Sequence, residues 1–159
     1  MDIMSRNTPS AITVANYLLE KAREQKRSLT PLHLLKLVYI CHGWSLAILG
    51  RDLVAEEVYA WQYGPVIPEL YHRIKSYGAN PVARIDRDLD DSPVELDSIE
   101  KTLIEKVFES YKHLSAIQLS GLTHKVGTPW HQIWKKHGRN SVIPTALIRS
   151  HYTELARQQ

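Results

Sequence analysis

The longest apolar segment of the chain predicts a helix that is buried on every side. In residues 32–49, apolar side chains occupy almost every position instead of a single stripe. Thr30 supplies a capping oxygen, Pro31 suits the first helical position, and Gly50 suits the end of the helix. A helix that is apolar all round belongs in the interior of a domain. At 1.5 Å per residue it would be about 28 Å long, so we expect the other elements to pack around it.

Apolar residues recur at helical spacing in six further segments, which predicts helices that pack by one face. Two of them begin with a capping box, in which an aspartate or serine and the side chain three residues later cap each other: Asp97 with Glu100, and Ser115 with Gln118. The predicted helices cover residues 10–25, 68–78, 98–113, 115–125, 128–138 and 144–155.

Residues 56–71 combine strand, turn and helix signals with several large aromatic side chains. Residues 58–63 are mostly β-branched or aromatic, which favours a strand. Gly64-Pro65 is expected to end the strand, because proline donates no backbone hydrogen bond and glycine permits a sharp turn. Pro68 suits the first turn of the following helix. A strand, a turn and a helix therefore meet at an aromatic corner.

A second strand is expected at residues 82–86, paired with the first, because a lone strand would leave its backbone groups unpaired. No repeat, low-complexity tract or linker divides the chain. We therefore predict a mainly α, compact single-domain fold over residues 1–159, built on the buried central helix, with a small two-stranded β element.

The aromatic side chains of the corner allow two interpretations. They are either core residues or anchors for a partner, since exposed Trp and Tyr are common at protein interfaces. Residue type alone favours the core. We expect Trp44 and Trp61 mainly to pack, and Tyr63 and His124 to be partly exposed.

Composition adds few constraints. The net charge of +3 permits contact with nucleic acid without arguing for it, because DNA-binding proteins cluster Lys and Arg on one face. The single cysteine, Cys41, excludes an internal disulfide. The first ten residues lack an apolar signal core, and the longest apolar run is too short for a bilayer. We expect a soluble, cytoplasmic protein with no membrane partner.

Sequence motifs for catalysis and cofactor binding are not found. There is no glycine-rich phosphate loop and no HExxH motif. Asp86, Asp88 and Asp90 match the first three ligand positions of a calcium loop. Asp91 then stands where glycine is needed, and Pro93 falls inside the loop. A solvated acidic loop is the favoured interpretation.

Histidine and cysteine offer no stronger site. His124, His131 and His137 could approach one another, but no carboxylate or thiol lies near them in sequence. Cys41 and His42 are adjacent on a helix, so their side chains point about 100° apart and make a poor nucleophile–base pair. We therefore predict that the protein is not an enzyme and has no cofactor and no metal site.

Three segments together resemble one family: LLKLVYICHGWSLAILG, VYAWQYGPVIPELYHRIKSYG and LSAIQLSGLTHKVGTPW. The most specific piece is Ala-Trp-x-Tyr-Gly-Pro-Val at residues 60–66. In order and spacing the chain is similar to the Panacea antitoxin domain family, also called SocA-like or phage-associated, over about residues 11–152. Two positions differ from the family pattern: His42 stands where glutamine is frequent, and Tyr59 where an acidic residue is frequent.

The resemblance implies a compact, mostly helical domain that binds and silences a cognate protein toxin. It also implies that a branch of the family hands the toxin to a ClpXP-type protease. The expected contact surface lies near Trp61, Tyr63 and Val66 or around the face of His124 and Trp130, and an apolar patch at the corner would permit a homodimer. The candidate partner-binding residues are Tyr59, Trp61, Tyr63, Gly64, Pro65, Val66, His124 and Trp130.

Two other function classes remain open from the residues. A nucleic-acid-binding transcriptional regulator is the alternative, supported by the net charge and by the Lys- and His-rich segment of residues 124–139. Such binding would weaken steeply with salt. A small hydrolase or metal enzyme that uses the histidines has the least support.

Overall fold

This computed structural model describes residues 8–88 and 91–159. Within these ranges the chain forms seven α-helices and three short strands, which are connected by loops. The helices are α1 Ala11–Glu24, α2 Pro31–Ile48, α3 Pro68–Ile74, α4 Ser98–Tyr111, α5 Ala116–His124, α6 Pro129–His137 and α7 Thr145–Arg157. The strands are β1 Tyr59–Trp61, β2 Gly64–Val66 and β3 Ser141–Val142, and a 3-10 turn, Lys75–Tyr77, follows α3. The predicted mainly α fold is confirmed.

Helix α2 is the centre of the molecule, as its all-round apolar pattern predicted. Its side chains are buried along nearly the whole length, and only its last residue, Ile48, is well exposed. Helices α1, α4, α5 and α7 and strand β2 all contact it. The Thr30 side chain caps its start by accepting from the His33 N–H, and Pro31 occupies the first turn, as expected. The interior also holds three polar side chains of this helix, Lys36, His42 and Ser45.

Helix α7 packs on α2 through a glycine. A Cβ added at Gly43 would lie 2.3 Å from the ring of Tyr152, so the contact requires the absence of a side chain. The buried Tyr152 ring meets Trp44 edge-on with 5.3 Å between ring centroids, and Tyr39 at 6.2 Å. This close approach explains why a glycine stands in the middle of a buried helix, where it is otherwise unfavourable.

Side-chain caps position the helices on the C-terminal side of the chain. Both predicted capping boxes are present, with Asp97 and Glu100 bonding reciprocally at 2.8 and 3.0 Å, and Ser115 and Gln118 at 3.1 and 2.8 Å. The Thr128 hydroxyl accepts from the backbone N–H of the third residue of α6. Each cap satisfies a backbone donor that helix geometry leaves unpaired.

The sheet differs from the prediction. It has three antiparallel strands in the order β2-β1-β3, not two. The expected strand at residues 82–86 does not form: the Val82 N–H donates to the Leu29 carbonyl, and the Ile85 N–H to the Asn16 side chain, both at 2.8 Å. The backbone donors of that segment are therefore satisfied by α1 and the loop before α2. Strand β3 pairs with β1 instead.

Gly64-Pro65 was also expected to end the first strand, and instead lies within β2. Pro65 pairs opposite Ala60. Because β2 is an outer strand of the sheet, the missing N–H of proline is tolerated there. No helix in the described part of the chain has the length and apolar content that a bilayer crossing requires.

Candidate functional site

The hairpin between β1 and β2 presents an exposed aromatic side chain on a fixed turn. Trp61 pairs with Gly64, so Gln62 and Tyr63 form a two-residue turn. The Tyr63 carbonyl accepts a 3.1 Å hydrogen bond from the Ser120 hydroxyl on α5, while the residue is 69% exposed. Gly64 has φ +119°, a backbone conformation that residues with a side chain rarely adopt. The base of the turn is thus anchored, and the Tyr63 side chain faces solvent.

Trp61 is half-buried and fixes the hairpin to its neighbours. Its indole N–H donates to the Asn140 side chain at 3.1 Å, and its ring meets Tyr71 edge-on at 5.2 Å. The Asn140 N–H in turn donates to the Ala60 carbonyl at 2.8 Å. Trp61 therefore packs mainly within the molecule, as expected, with one part of its ring accessible.

Trp130 connects α6 to the hairpin. Its indole N–H donates to the Trp61 carbonyl at 2.7 Å, and its buried ring stacks on Trp134 with 5.2 Å between ring centroids. His124 meets the same ring edge-on at 5.4 Å and is half-buried. The His124 Nδ1 lies 2.5 Å from the Ser120 carbonyl, so Nδ1 carries a proton and donates it to that oxygen.

A buried lysine, which the sequence patterns did not single out, supports the hairpin from α2. Lys36 is 2% exposed, and its ammonium donates to the Pro65 carbonyl at 3.0 Å. Burial lowers the pKa of Lys36 to about 8. A Cβ at Gly64 would lie 2.9 Å from the Lys36 Nζ, so this glycine leaves room for the ammonium. The available signal was a lone charge within an apolar helix.

The structure brings the predicted contact residues together but leaves few of them accessible. Gly64, Pro65, Val66 and Trp130 are buried, Tyr59, Trp61 and His124 are half-buried, and Tyr63 is exposed. The half-buried and exposed side chains are therefore accessible to a partner, whereas the buried residues hold these side chains in place. The expected partial exposure of Tyr63 and His124, and the burial of Trp44, agree with this arrangement.

The outer face of α5 adds exposed apolar residues that the sequence patterns did not assign to a surface. Ile117 is 80% exposed, Leu122 is partly exposed, and Val126, just beyond the helix, is 82% exposed. Ser120, which holds the Tyr63 carbonyl, lies between Ile117 and His124 along this helix. The signal was available, because Ile117, Leu119 and Leu122 do not fit one helical face.

A second surface feature is a groove of about 760 Å³ between the end of α2 and α4. Trp44, Ile48, Ile99 and Leu103 are among its apolar lining residues. Ile99 is 56% exposed. This groove is lined by residues of other elements than the hairpin and α5, so it provides a control surface for experiments on the corner.

The histidines do not converge. His131 Nδ1 accepts from the Gly127 N–H at 3.3 Å, and His137 is exposed near the end of α6. Within residues 8–88 and 91–159, no group of three His, Cys, Asp or Glu side chains is arranged to hold a metal ion. Of the calcium-loop pattern, Asp90 lies outside the described residues.

Cys41 and His42 both lie in the interior. Burial raises the pKa of the Cys41 thiol, which favours the unreactive protonated form. His42 Nδ1 accepts from the backbone N–H groups of Leu53 and Val54, at 3.2 and 3.4 Å. Burial lowers the pKa of His42 to about 4, and Asp52 opposes this shift only in part. Both residues are part of the packing beneath the surface.

These features define a class of protein: a mainly helical domain on a buried central helix, with a small sheet that supports an aromatic corner. Residues 34–131 match the family described as antitoxin SocA-like, Panacea domain. The chain is 34% identical over 138 residues to a protein named Antitoxin SocA from Caulobacter vibrioides (strain NA1000 / CB15N), an alignment that covers 82% of this chain and 73% of that protein. The chain therefore belongs to the SocA-like antitoxin family with a Panacea domain. No solved structure matches the chain significantly.

The matched segment includes Lys36, the hairpin, α5 and the first residues of α6. It therefore contains every candidate contact residue, whereas Trp134 and Asn140, which support Trp130 and Trp61, lie beyond it. Helix α1 and helix α7, which pack on α2 from outside this segment, complete the core.

Proposed function

We propose that this protein is the antitoxin of a toxin–antitoxin pair and neutralises its cognate toxin by direct contact through the aromatic corner. Membership of the SocA-like family supports the antitoxin role. The observation that carries the contact is Tyr63, a largely exposed aromatic side chain on a turn anchored to α5. Because the turn is already fixed, little ordering would be needed on binding.

Half-buried side chains around Tyr63 extend the proposed contact. Tyr59, Trp61 and His124 each present part of a ring to solvent, while their other contacts hold them in place. Aromatic residues in such positions often contribute most of the binding energy of an interface.

The test is a Tyr63→Ala variant and the toxin encoded by the adjacent gene. Truncating a central interface aromatic should cost on the order of 2 kcal/mol of binding free energy, or about 30-fold in Kd. The folded state should be unaffected, since Tyr63 makes its hydrogen bond through the backbone. The measurement is a titration of the purified partners, with circular dichroism to verify the fold.

The matched control is Ile99→Ala, which truncates an exposed apolar side chain on α4, in the groove away from the hairpin. It should bind the toxin with the affinity of the unmodified protein. Equal affinities for the Tyr63 and Ile99 variants would contradict a contact centred on the hairpin.

Contact can end toxicity by masking the toxin or by delivering it to a ClpXP-type protease. The two routes differ in the fate of the toxin, because masking leaves it abundant in the cell and delivery removes it. Toxin abundance after synthesis is stopped, measured with and without the protease, separates them. Both routes require the same initial contact at the corner.

A further inference from the structure

The charges of this protein are distributed unevenly along the chain. All of its 17 acidic residues lie up to Glu109 or at Glu154, so the sequence between those two positions contains no carboxylate side chain. That stretch forms α5, α6, β3 and most of α7. Its basic residues are Lys112, Lys125, Lys135, Lys136, Arg139 and Arg149.

Four of these cations are exposed and carry uncompensated charge around α5 and α6. Lys125, Lys135, Lys136 and Arg139 form no ion pair with any carboxylate of residues 8–88 and 91–159. Elsewhere on the molecule, cations such as Arg51 and Arg87 lie within 2.8 Å of carboxylate oxygens. The positive charge around α6 is therefore not paired with any carboxylate in the part of the chain that the structure describes.

The cationic face of α6 continues the apolar surface of α5. The loop after α5 is held against α6, where the Gln132 side chain donates to the Gly127 carbonyl at 3.3 Å. Lys135 and Lys136 follow Gln132 by three and four residues, so they lie next along the same side of the helix. The exposed Val126 immediately precedes Gly127. Apolar and cationic side chains thus meet at this loop.

Gly121 on α5 adds a second feature of the same surface. It lies inside a helix and is exposed, and a Cβ built on it would meet nothing within 4 Å apart from the backbone of its own helix and its chain neighbours. Glycine weakens a helix interior, and the packing of this chain does not require it here. It does leave a flat place, between Ile117 and Lys125 along the helix, where the backbone of another protein can come close.

We infer that the toxin surface bound here is apolar at its centre and acidic around it. The apolar centre of the toxin surface covers Tyr63, Ile117 and Gly121 of this protein. The acidic residues of the toxin pair with Lys125, Lys135, Lys136 and Arg139. This inference rests on the proposed function and extends the contact from the hairpin to the outer face of α5. Opposite charges around an apolar centre speed encounter and select the partner.

The exposed apolar side chains favour a protein partner over nucleic acid. Ile117 and Val126 are more than three-quarters exposed within the positive field. A phosphate backbone is bound by cations and polar groups, whereas an apolar patch with a polar rim is the usual organisation of a protein interface. A nucleic-acid ligand would leave these side chains without a contact.

The first test is charge reversal in the double variant Lys135→Glu/Lys136→Glu. The matched control is Lys101→Glu/Lys106→Glu, which changes two exposed lysines of α4 by the same total charge. Affinity for the adjacent-gene toxin is titrated between about 50 and 500 mM salt. We expect the α6 variant to lose about tenfold in affinity at low salt and to show a flatter salt dependence. The α4 variant should stay within about threefold of the unmodified protein.

The second test is Gly121→Gln, which changes no charge. Glutamine is a better helix former than glycine, so the melting temperature should be unchanged or higher. Toxin affinity should fall about tenfold or more, because a long side chain would occupy the place of closest approach. An unchanged affinity would show that the partner does not cover α5 and would overturn the apolar part of the inference.

The remaining outcomes separate this inference from the proposed function. A toxin complex that both lysine double variants leave intact, or weaken equally, overturns the acidic partner surface while direct binding stands. No complex with the unmodified protein overturns direct binding and this inference with it. If the α6 variant binds toxin normally but loses retention of a duplex from its own promoter, the cationic face serves nucleic acid, and the inference is wrong.

Discussion

At the scale of single residues, His42 illustrates how a polar side chain is accommodated in the central helix. Its Nδ1 accepts two backbone N–H groups of the segment that follows α2, which requires an unprotonated Nδ1. Desolvation disfavours the charged ring and lowers the pKa of His42 to about 4. The imidazole therefore acts as a neutral hydrogen-bond acceptor for the chain around it.

Acidification should destabilise the protein through His42. The unfolded ring takes up a proton as pH falls below the ordinary pKa of 6.5, while the folded ring stays neutral down to about pH 4. Stability is therefore fully present above the unfolded pKa and is lost as pH falls through this window, by on the order of 3 kcal/mol. In a His42→Gln variant the amide oxygen can accept the same N–H groups without titrating. Denaturant unfolding between pH 7 and 4 should show a smaller loss for the variant, by roughly that amount.

A His137→Gln variant, at an exposed position, controls for the change of residue type and should follow the pH dependence of the unmodified protein. The opposite result for His42→Gln, a larger loss of stability in acid than in the unmodified protein, would contradict this explanation. It would mean that the Asp52 carboxylate, 3.7 Å from the His42 Nε2, stabilises the charged ring.

Residue type predicted some positions of the corner and missed others. Tyr63 and His124 are accessible, as expected, and the structure gives the reason: Tyr63 lies in the hairpin turn and His124 is the last residue of α5. The role of Lys36 was missed although its lone charge within an apolar helix was visible, because the Pro65 carbonyl that accepts from it is brought there by the packing of β2 against α2. The exposure of Ile117 and Val126 was missed because apolar residues are usually expected in the interior.

At the scale of elements, the starts of α2, α4, α5 and α6 were predictable because each carries a local side-chain cap, which α3 and α7 lack. The two capping boxes and the Thr-Pro starts depend only on residues within one turn. Strands were not predictable in this way, because β3 has two residues and pairs with β1 far along the chain. Residues 82–86 have a strand-like pattern, yet their donors are satisfied by Leu29 and Asn16.

Gly43 should be indispensable to the packing of α7 on α2. An alanine Cβ at this position would lie 2.3 Å from the Tyr152 ring, which Trp44 and Tyr39 enclose. We expect Gly43→Ala to lower the free energy of unfolding by about 2–3 kcal/mol, since a rigid buried ring cannot move aside without cost. Denaturant unfolding of the purified variants measures the change.

The matched control is Gly121→Ala, a helical glycine with open space around it. It should leave stability unchanged or raise it by up to about 1 kcal/mol, because alanine is the better helix former. Similar destabilisation of both variants would show that helix backbone geometry, and not the Tyr152 contact, determines the effect at Gly43.

At the scale of the whole molecule, the buried core and the surface have separate roles. The core, centred on α2, fixes the hairpin through Lys36, Trp61 and Trp130. The exposed side chains of the hairpin and α5 are not needed for that packing. Membership of the SocA-like family supports an antitoxin role, and a folded domain with an exposed apolar surface is suited to binding another protein. The sequence predicted the mainly helical fold and an aromatic corner, whereas the hairpin, the third strand and the α5 surface required the elements to be placed in space.

The most direct measurement of the central claim is growth of cells that express the adjacent-gene toxin together with this protein. The unmodified protein and the Ile99→Ala variant should restore growth, whereas Tyr63→Ala, verified as folded and equally abundant, should restore it poorly because its contact with the toxin is weakened. Continued toxicity in the presence of abundant, folded, unmodified protein would contradict neutralisation by direct contact.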